Sequence, residues 1–89
     1  MAMERVVFVV RGKRNDYWRY TLYSWMLEVK DILESEYGVA VEVLLEDSDI
    51  PLPIICDERG NVVVSGVPSE EGYLIELLKK HLDRVLGRS

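Results

Sequence analysis

The chain has 89 residues, of which 48% are hydrophobic and 30% charged, and its formal net charge is −5. This size and composition fit one globular domain over residues 1–89 and exclude a disordered chain or a uniformly basic nucleic-acid surface. A single cysteine excludes an intrachain disulfide, and we expect no metal or cofactor. No apolar run approaches the roughly 20 residues of a membrane span, and no signal-peptide pattern is present. We therefore expect a cytoplasmic protein with no membrane contact, and the abundant charge with no glutamine leans towards a thermophilic composition.

The first predicted elements are a strand and a helix. Residues 5–11 read RVVFVVR, and apolar side chains on both faces are typical of a central strand covered on both sides. Asp16 is the predicted N-cap of a helix over residues 17–37, which Gly38 ends. Its predicted buried stripe consists of Trp18, Leu22, Trp25, Met26, Val29, Ile32 and Leu33.

A second stripe lies roughly opposite the first on this helix. It contains Tyr20, Tyr23 and Leu27, here called the tyrosine stripe. A solvent-facing side does not need two tyrosines and a leucine, so we expect this stripe at an interface. The alternating residues 39–46 then predict a half-exposed edge strand, parallel to the first strand because a helix joins the two.

A proline-led hairpin and a helix follow. Residues 54–56 and 62–64 are short apolar runs joined by a Gly-containing polar turn, which predicts an antiparallel hairpin. Ser69 is the predicted N-cap of the last helix, which Gly87 ends. The predicted buried side chains of that helix are Leu74, Leu77, Leu78, Leu82 and Val85.

The element order β-α-β-β-β-α resembles a thioredoxin-like fold: α/β, with a four-stranded mixed sheet and two helices. The similarity is carried by Ile50-Pro51, residues 54–56, the Asp57-x-x-Gly60 turn and Gly66, in the series seen in peroxiredoxins and thioredoxin-like reductases. The resemblance implies that Pro51 is a structural cis-proline, with Pro53 as the alternative.

Two departures from that family shape the functional prediction. Residues 11–18 read RGKRNDYW, so the window of the Cys-x-x-Cys pair contains no thiol, and thiol–disulfide exchange of that type is excluded. The middle helix is also missing, which would leave one face of the sheet without intrachain cover. Because burying each valine or leucine is worth roughly 1.5–3 kcal/mol, we expect a homodimer through that face, the tyrosine stripe or both.

The first candidate site is the basic loop at the start of the first helix. Cations and aromatics near a helix N-terminus suit phosphate, carboxylate or a nucleotide base. A solvated loop whose aromatics turn inward is the alternative, to which we give more weight. The candidate ligand-binding residues are Arg11, Lys13, Arg14, Tyr17 and Arg19.

Three further features favour structural roles. Cys56 lies inside a predicted strand and is expected to be a buried, inert thiol. His81 falls among leucines at the margin of the core, without the second ligand that a zinc site needs. The acidic residues 46–49 lack the spacing of a calcium loop and are expected to be a solvated linker.

The first functional hypothesis is a non-catalytic, redox-inactive thioredoxin-like domain that acts in protein–protein interaction or assembly, as a homodimer or with an unknown protein partner. The alternative is an anion, nucleotide or nucleic-acid binding module built on the basic loop, which carries less weight. An enzyme of unfamiliar chemistry ranks last, and we predict that the chain is not an enzyme.

Overall fold

The computed structural model describes residues 4–87, which form a mixed α/β domain with two helices and one four-stranded sheet. The strand order is β2-β1-β3-β4, in which β1 and β2 are parallel and the other two pairs are antiparallel. The predicted element order and mixed sheet are confirmed. The elements are β1 (Arg5–Gly12), α1 (Tyr17–Tyr37), β2 (Ala40–Asp47), β3 (Ile54–Asp57), β4 (Val62–Ser65) and α2 (Glu71–Val85).

Both helices pack on the same face of the sheet. Phe8 and Val10 of β1 belong to one buried cluster with side chains of α1 and α2, and the alternate residues Val7 and Val9 do not. This separation follows from the period of two along a strand. The other cluster members are Leu22, Met26, Val29, Leu33, Tyr37, Val39, Val41, Ile55, Val64, Leu74, Leu78 and Leu82.

The second face of the sheet carries no helix within residues 4–87, yet its central side chains are buried. Val7, Val9 and Cys56 are only 7%, 5% and 1% exposed. These valines are therefore buried within one chain, and their burial does not require the second chain that we expected to cover this face. Two ion pairs, Arg5–Glu42 and Arg11–Glu46, each 3.0 Å long, join neighbouring strands beside these residues. The long side chains of those pairs can shield the small apolar residues from water.

Helix α1 begins and ends as predicted, but its buried stripe is narrower. Asp16 caps it by accepting a hydrogen bond from the Trp18 backbone N–H at 2.9 Å, and Gly38 ends it with a positive φ of 65°. Trp18 and Ile32, predicted in the buried stripe, are 56% and 46% exposed. Both lie on the flank of α1 that turns away from the sheet. Helical spacing alone assigned them to the core, because it does not show which flank of a helix the sheet covers.

The hairpin is confirmed, and its turn is built on Asp57. The carboxylate of Asp57 accepts hydrogen bonds from the backbone N–H groups of Arg59 and Asn61, both at 2.9 Å, and from the Asn61 side chain at 3.0 Å. Burial acts to raise the pKa of Asp57, but these hydrogen bonds outweigh it and lower that pKa.

Two local predictions about the chain around the hairpin are wrong. All peptide bonds in residues 4–87 are trans, so neither Pro51 nor Pro53 is a cis-proline. A bend at residues 51–52 turns the chain with trans geometry, and the Pro53 carbonyl accepts a hydrogen bond from Gly66 N–H at 2.8 Å. The N-cap of α2 is Glu70 rather than Ser69, and its side chain makes no capping bond.

Candidate functional site

The predicted basic loop lies where β1 ends and α1 begins, but its arginines already have partners. Arg11 pairs with Glu46 at 3.0 Å, and Arg14 lies 3.9 Å from Asp47. The carboxylates come from the end of β2, which runs beside β1. Asp16 already occupies the helix N-terminus as its cap. The arginines therefore offer an incoming anion little uncompensated positive charge, whereas Lys13 forms no ion pair within residues 4–87.

Arg19 is a buried structural cation and not a surface ligand. It is 2% exposed, and its Nη1 donates to the carbonyl of Glu46 at 3.1 Å and to the carboxylate of Asp47. Its Nη2 donates to the carbonyl of Arg14 at 3.1 Å and to the Tyr20 hydroxyl at 2.7 Å. Burial acts to lower the pKa of Arg19, but the hydrogen bonds with Asp47 and Tyr20 outweigh it and raise that pKa.

Gly12 makes room for this arrangement. A Cβ atom at Gly12 would lie 3.1–3.2 Å from the Cβ, Cγ and Cδ atoms of Arg19, so a larger residue would crowd the arginine stem. Through its hydrogen bonds, the Arg19 guanidinium connects the end of β2, the loop before α1 and the first turn of α1. The sequence analysis assigned Arg19 to a binding site because the polar residues around it gave no sign that the Arg19 side chain is buried.

The two remaining loop candidates, Lys13 and Tyr17, are exposed at the surface. Tyr17 packs edge-on against Trp18, with ring centroids 5.5 Å apart. The structure thus brings Arg11, Arg14 and Arg19 together with carboxylates and leaves the exposed aromatics beside them. One of these aromatics, Trp18, also lines a separate apolar groove.

An exposed apolar groove lies between the start of α1 and two loops. It has a volume of about 470 Å³, and we call it the tryptophan groove. Trp18 and Leu52 on its walls are 56% and 57% exposed, while Pro53 is buried beneath them. The lining residues are Trp18, Trp25, Leu52, Pro53, Val67, Pro68 and Ser69.

Three different segments position these side chains. Trp18 and Trp25 are seven residues apart and therefore share one flank of α1. Leu52 and Pro53 come from the bend before β3, and the hydrogen bond from Gly66 to Pro53 holds that bend against the segment that leads to α2. Sequence reasoning missed the groove because it assigned both tryptophans to the core, although the two Pro-containing loops were a usable signal.

Acidic side chains lie beside the tryptophan groove. Glu28 is one turn beyond Trp25 on α1, and Glu71 is two residues beyond Ser69 at the start of α2. A hydrogen bond with Glu28, together with burial, raises the pKa of Glu71. A cationic group brought to this rim would find two carboxyl groups that repel each other when both are ionised.

The tyrosine stripe lies on the opposite flank of α1. Tyr20 is 46% exposed, but its hydroxyl donates to the Arg14 carbonyl at 2.9 Å. Tyr23 is half-buried against the core, and Leu27 is exposed. The stripe is therefore partly used inside the chain, and Leu27 is its clearest exposed apolar side chain.

Cys56 and His81 are both buried. Burial raises the pKa of the Cys56 thiol and outweighs the opposing effect of Arg11, so the thiolate is disfavoured. His81 lies 5.8 Å from Phe8 between ring centroids, and burial lowers its pKa. Within residues 4–87, no group of three or more His, Cys, Asp or Glu side chains is placed to hold a metal ion. Neither α1 nor α2 is long and apolar enough to cross a membrane.

Comparisons with protein-family models, with curated proteins and with solved structures gave no match to this chain.

Proposed function

We propose that this chain is a non-catalytic, thioredoxin-like protein-binding domain and that the tryptophan groove is its docking surface. The element order on which the resemblance rests supports this proposal, although the trans prolines depart from the family pattern. The sequence has no thiol in residues 11–18, and Cys56 is buried in β3. Thiol chemistry therefore has no exposed nucleophile among the described residues.

The exposed tryptophan groove is the observation that carries the proposal. Contiguous apolar surface in contact with water is costly, and such patches on soluble domains commonly mark interaction sites. Tryptophan also dominates the energetics of many protein interfaces, because its large rigid surface is buried at small entropic cost. The groove's volume of about 470 Å³ accommodates one or two apolar side chains.

The chemistry of the groove and its rim defines the partner. Apart from the Ser69 hydroxyl, the lining side chains are tryptophan, leucine, proline and valine, which offer contact area but few hydrogen bonds. Glu28 lies one turn beyond the lining residue Trp25, and Glu70 and Glu71 directly follow the lining residue Ser69, in a chain that carries a net charge of −5. The partner is therefore a peptide segment that inserts an aromatic or aliphatic side chain and carries Lys or Arg next to it.

The alternative function, anion or nucleotide binding at the basic loop, is not favoured. Arg11, Arg14 and Arg19 each face a carboxylate, so an incoming phosphate would have to displace an existing partner. That exchange gains little free energy, because a new guanidinium–phosphate pair would only replace an existing guanidinium–carboxylate pair.

Intrinsic fluorescence tests the groove directly, because both tryptophans of the chain line it. Peptides selected from a random display library on the purified protein should be rich in aromatic or aliphatic residues beside Lys or Arg. Their binding should shift the tryptophan emission. The Leu52→Lys variant should weaken binding at least tenfold, which corresponds to about 1.4 kcal/mol.

Val62→Lys is the matched control, because Val62 on β4 is 58% exposed and Leu52 is 57% exposed. This variant should bind the selected peptides as the parent chain does. The proposal fails if selection enriches no sequence class, or if bound peptides leave the tryptophan emission and the Leu52→Lys affinity unchanged.

A further inference from the structure

We infer that the free edge of β2 and the neighbouring flank of α1 form a twofold interface with a second copy of this chain. This surface lies on the opposite flank of α1 from the tryptophan groove, so the inference stands independently of the proposed function.

Strand β2 is an edge strand with outward-facing backbone groups. Its ladder with β1 is bracketed by hydrogen bonds from Ala40 N–H to the Glu4 carbonyl and from Ser48 N–H to the Gly12 carbonyl, both at 2.8 Å. Even-numbered residues of β2 therefore point their backbone groups at β1, and odd-numbered residues point theirs at the free edge. No other described strand adjoins that edge, so it can pair with a further strand.

One end of this edge is already capped. The Glu34 carboxylate accepts a hydrogen bond from Val41 N–H at 2.8 Å, and Lys30 pairs with the same carboxylate at 3.2 Å. The hydrogen bond with Val41 and the pairing with Lys30 lower the pKa of Glu34, so it stays ionised at neutral pH. The cap leaves the backbone of Val43 and Leu45 as the open part of the edge.

Apolar side chains lie beside that open part. Helix α1 runs antiparallel to β2, since Glu34 lies beside Val41 and Arg19 lies beside residues 46–47. Residues 23–27 are therefore level with the middle of the strand. Tyr23, Val43 and Leu45 are half-buried there, and Leu27 is 46% exposed.

Most charged side chains nearest the β2 edge form ion pairs, although the exposed Asp31, one turn beyond Leu27 on α1, forms none among the described residues. Lys30–Glu34 and Arg11–Glu46 are the nearest examples, and Asp47 is held by Arg19. A net charge of −5 opposes self-association in general, but two copies that meet along this edge bring together side chains whose charges are already paired. The strand edge itself therefore meets a second copy without a new unpaired ion.

A twofold axis at Leu45 uses the open part of the edge and avoids the cap. It pairs Leu45 with Leu45 of the second copy and Val43 with Asp47, in an antiparallel ladder. The same axis brings the two α1 helices together at Tyr23 and Leu27. The strand edge and the helix flank beside it give an interface about 20 Å long.

The experiment compares two substitutions on the same helix. Leu27 and Ile32 are both 46% exposed, but Ile32 lies on the other flank of α1. Sedimentation equilibrium of the full chain should show a dimer that Leu27→Lys weakens at least tenfold and that Ile32→Lys leaves unchanged. Circular dichroism should show that both variants retain the fold, because both positions are exposed.

Amide hydrogen exchange followed by NMR supplies a second readout that needs no substitution. Protection of the Val43 and Leu45 amides should rise with protein concentration, whereas protection of the capped Val41 amide should not. A monomer at the highest soluble concentration would overturn the inference. So would a dimer that Ile32→Lys disrupts and Leu27→Lys does not, or concentration-independent exchange at Val43 and Leu45.

Discussion

At the scale of single residues, Arg19 shows how the chain uses its positive charge. The guanidinium donates to four oxygens from four residues: the carbonyls of Arg14 and Glu46, the Asp47 carboxylate and the Tyr20 hydroxyl. Its plane also lies over the Tyr20 ring, 4.6 Å from the centroid. A planar fork can satisfy acceptors in several directions at once, which an ammonium group cannot do.

Arg19→Lys should therefore lower the thermal unfolding midpoint by several degrees, although it keeps the charge. The lysine ammonium can reach only some of the four acceptors, so some of the hydrogen bonds that Arg19 makes are lost. Differential scanning calorimetry measures the change. Arg14→Lys is the control, because Arg14 is exposed and its 3.9 Å contact with Asp47 is weak, so its midpoint should stay that of the parent. Equal thermal unfolding midpoints for Arg19→Lys and Arg14→Lys would show that the hydrogen bonds of Arg19 do not stabilise the fold.

At the scale of elements, the two helices are joined by polar contacts as well as by the core. The Tyr37 hydroxyl lies 3.2 Å from the Lys79 carbonyl and 2.7 Å from the Asp83 carboxylate, and the Lys79 ammonium pairs with Glu36 at 2.8 Å. At the other end, the Glu28 and Glu71 carboxyl groups meet, and Oε2 of Glu71 is buried without a hydrogen-bond partner. The start of α2 is therefore the less satisfied end of the helix pair.

Glu71→Gln should stabilise the domain at neutral pH and flatten its pH dependence. Because the pKa of Glu71 is raised in the folded state, a proton on the Glu28–Glu71 pair stabilises the fold at pH values below the ordinary carboxyl pKa. That contribution is lost as pH rises through the raised value. Glutamine can donate to Glu28 at every pH, so the loss disappears. Urea unfolding at pH 5 and pH 8 measures the difference in the free energy of unfolding.

The matched control for that prediction is Glu70→Gln, which removes the same charge from the adjacent exposed position. It should retain the parent's pH dependence between pH 5 and pH 8. If Glu71→Gln also retains it, or is less stable than the parent at pH 8, the carboxyl pair does not contribute as described.

The elements were largely predictable from the sequence, and the exposure of particular side chains was not. Asp16, Gly38 and the Asp57 turn act through local hydrogen bonds or backbone conformation, so local sequence patterns predicted them. Trp18 and Ile32 have helical spacing that fits the core, but only the position of α2 and the loops decides which flank of α1 is covered. The site was missed for the same reason, because the tryptophan groove joins residues up to 51 positions apart.

At the scale of the whole molecule, the central strand β1 is buried on both faces by different means. The helices cover Val10, which is fully buried, and strand neighbours with long charged side chains surround Val9, which is 5% exposed. The apolar run in β1 correctly predicted burial on both faces. It could not show how far the stems of paired arginine and glutamate side chains cover small residues, so a second chain was the simplest cover to expect.

Val9→Ala should therefore destabilise the domain about as much as Val10→Ala. Each substitution removes two methyl groups from a buried position, which costs about 2 kcal/mol from the lost transfer energy and the cavity. Urea unfolding at several protein concentrations measures both. A dimer formed through β2 would raise the stability of both variants together with concentration and leave the difference between them constant. A Val9→Ala cost that is small in dilute solution and grows with concentration would instead mean that a second chain covers this face.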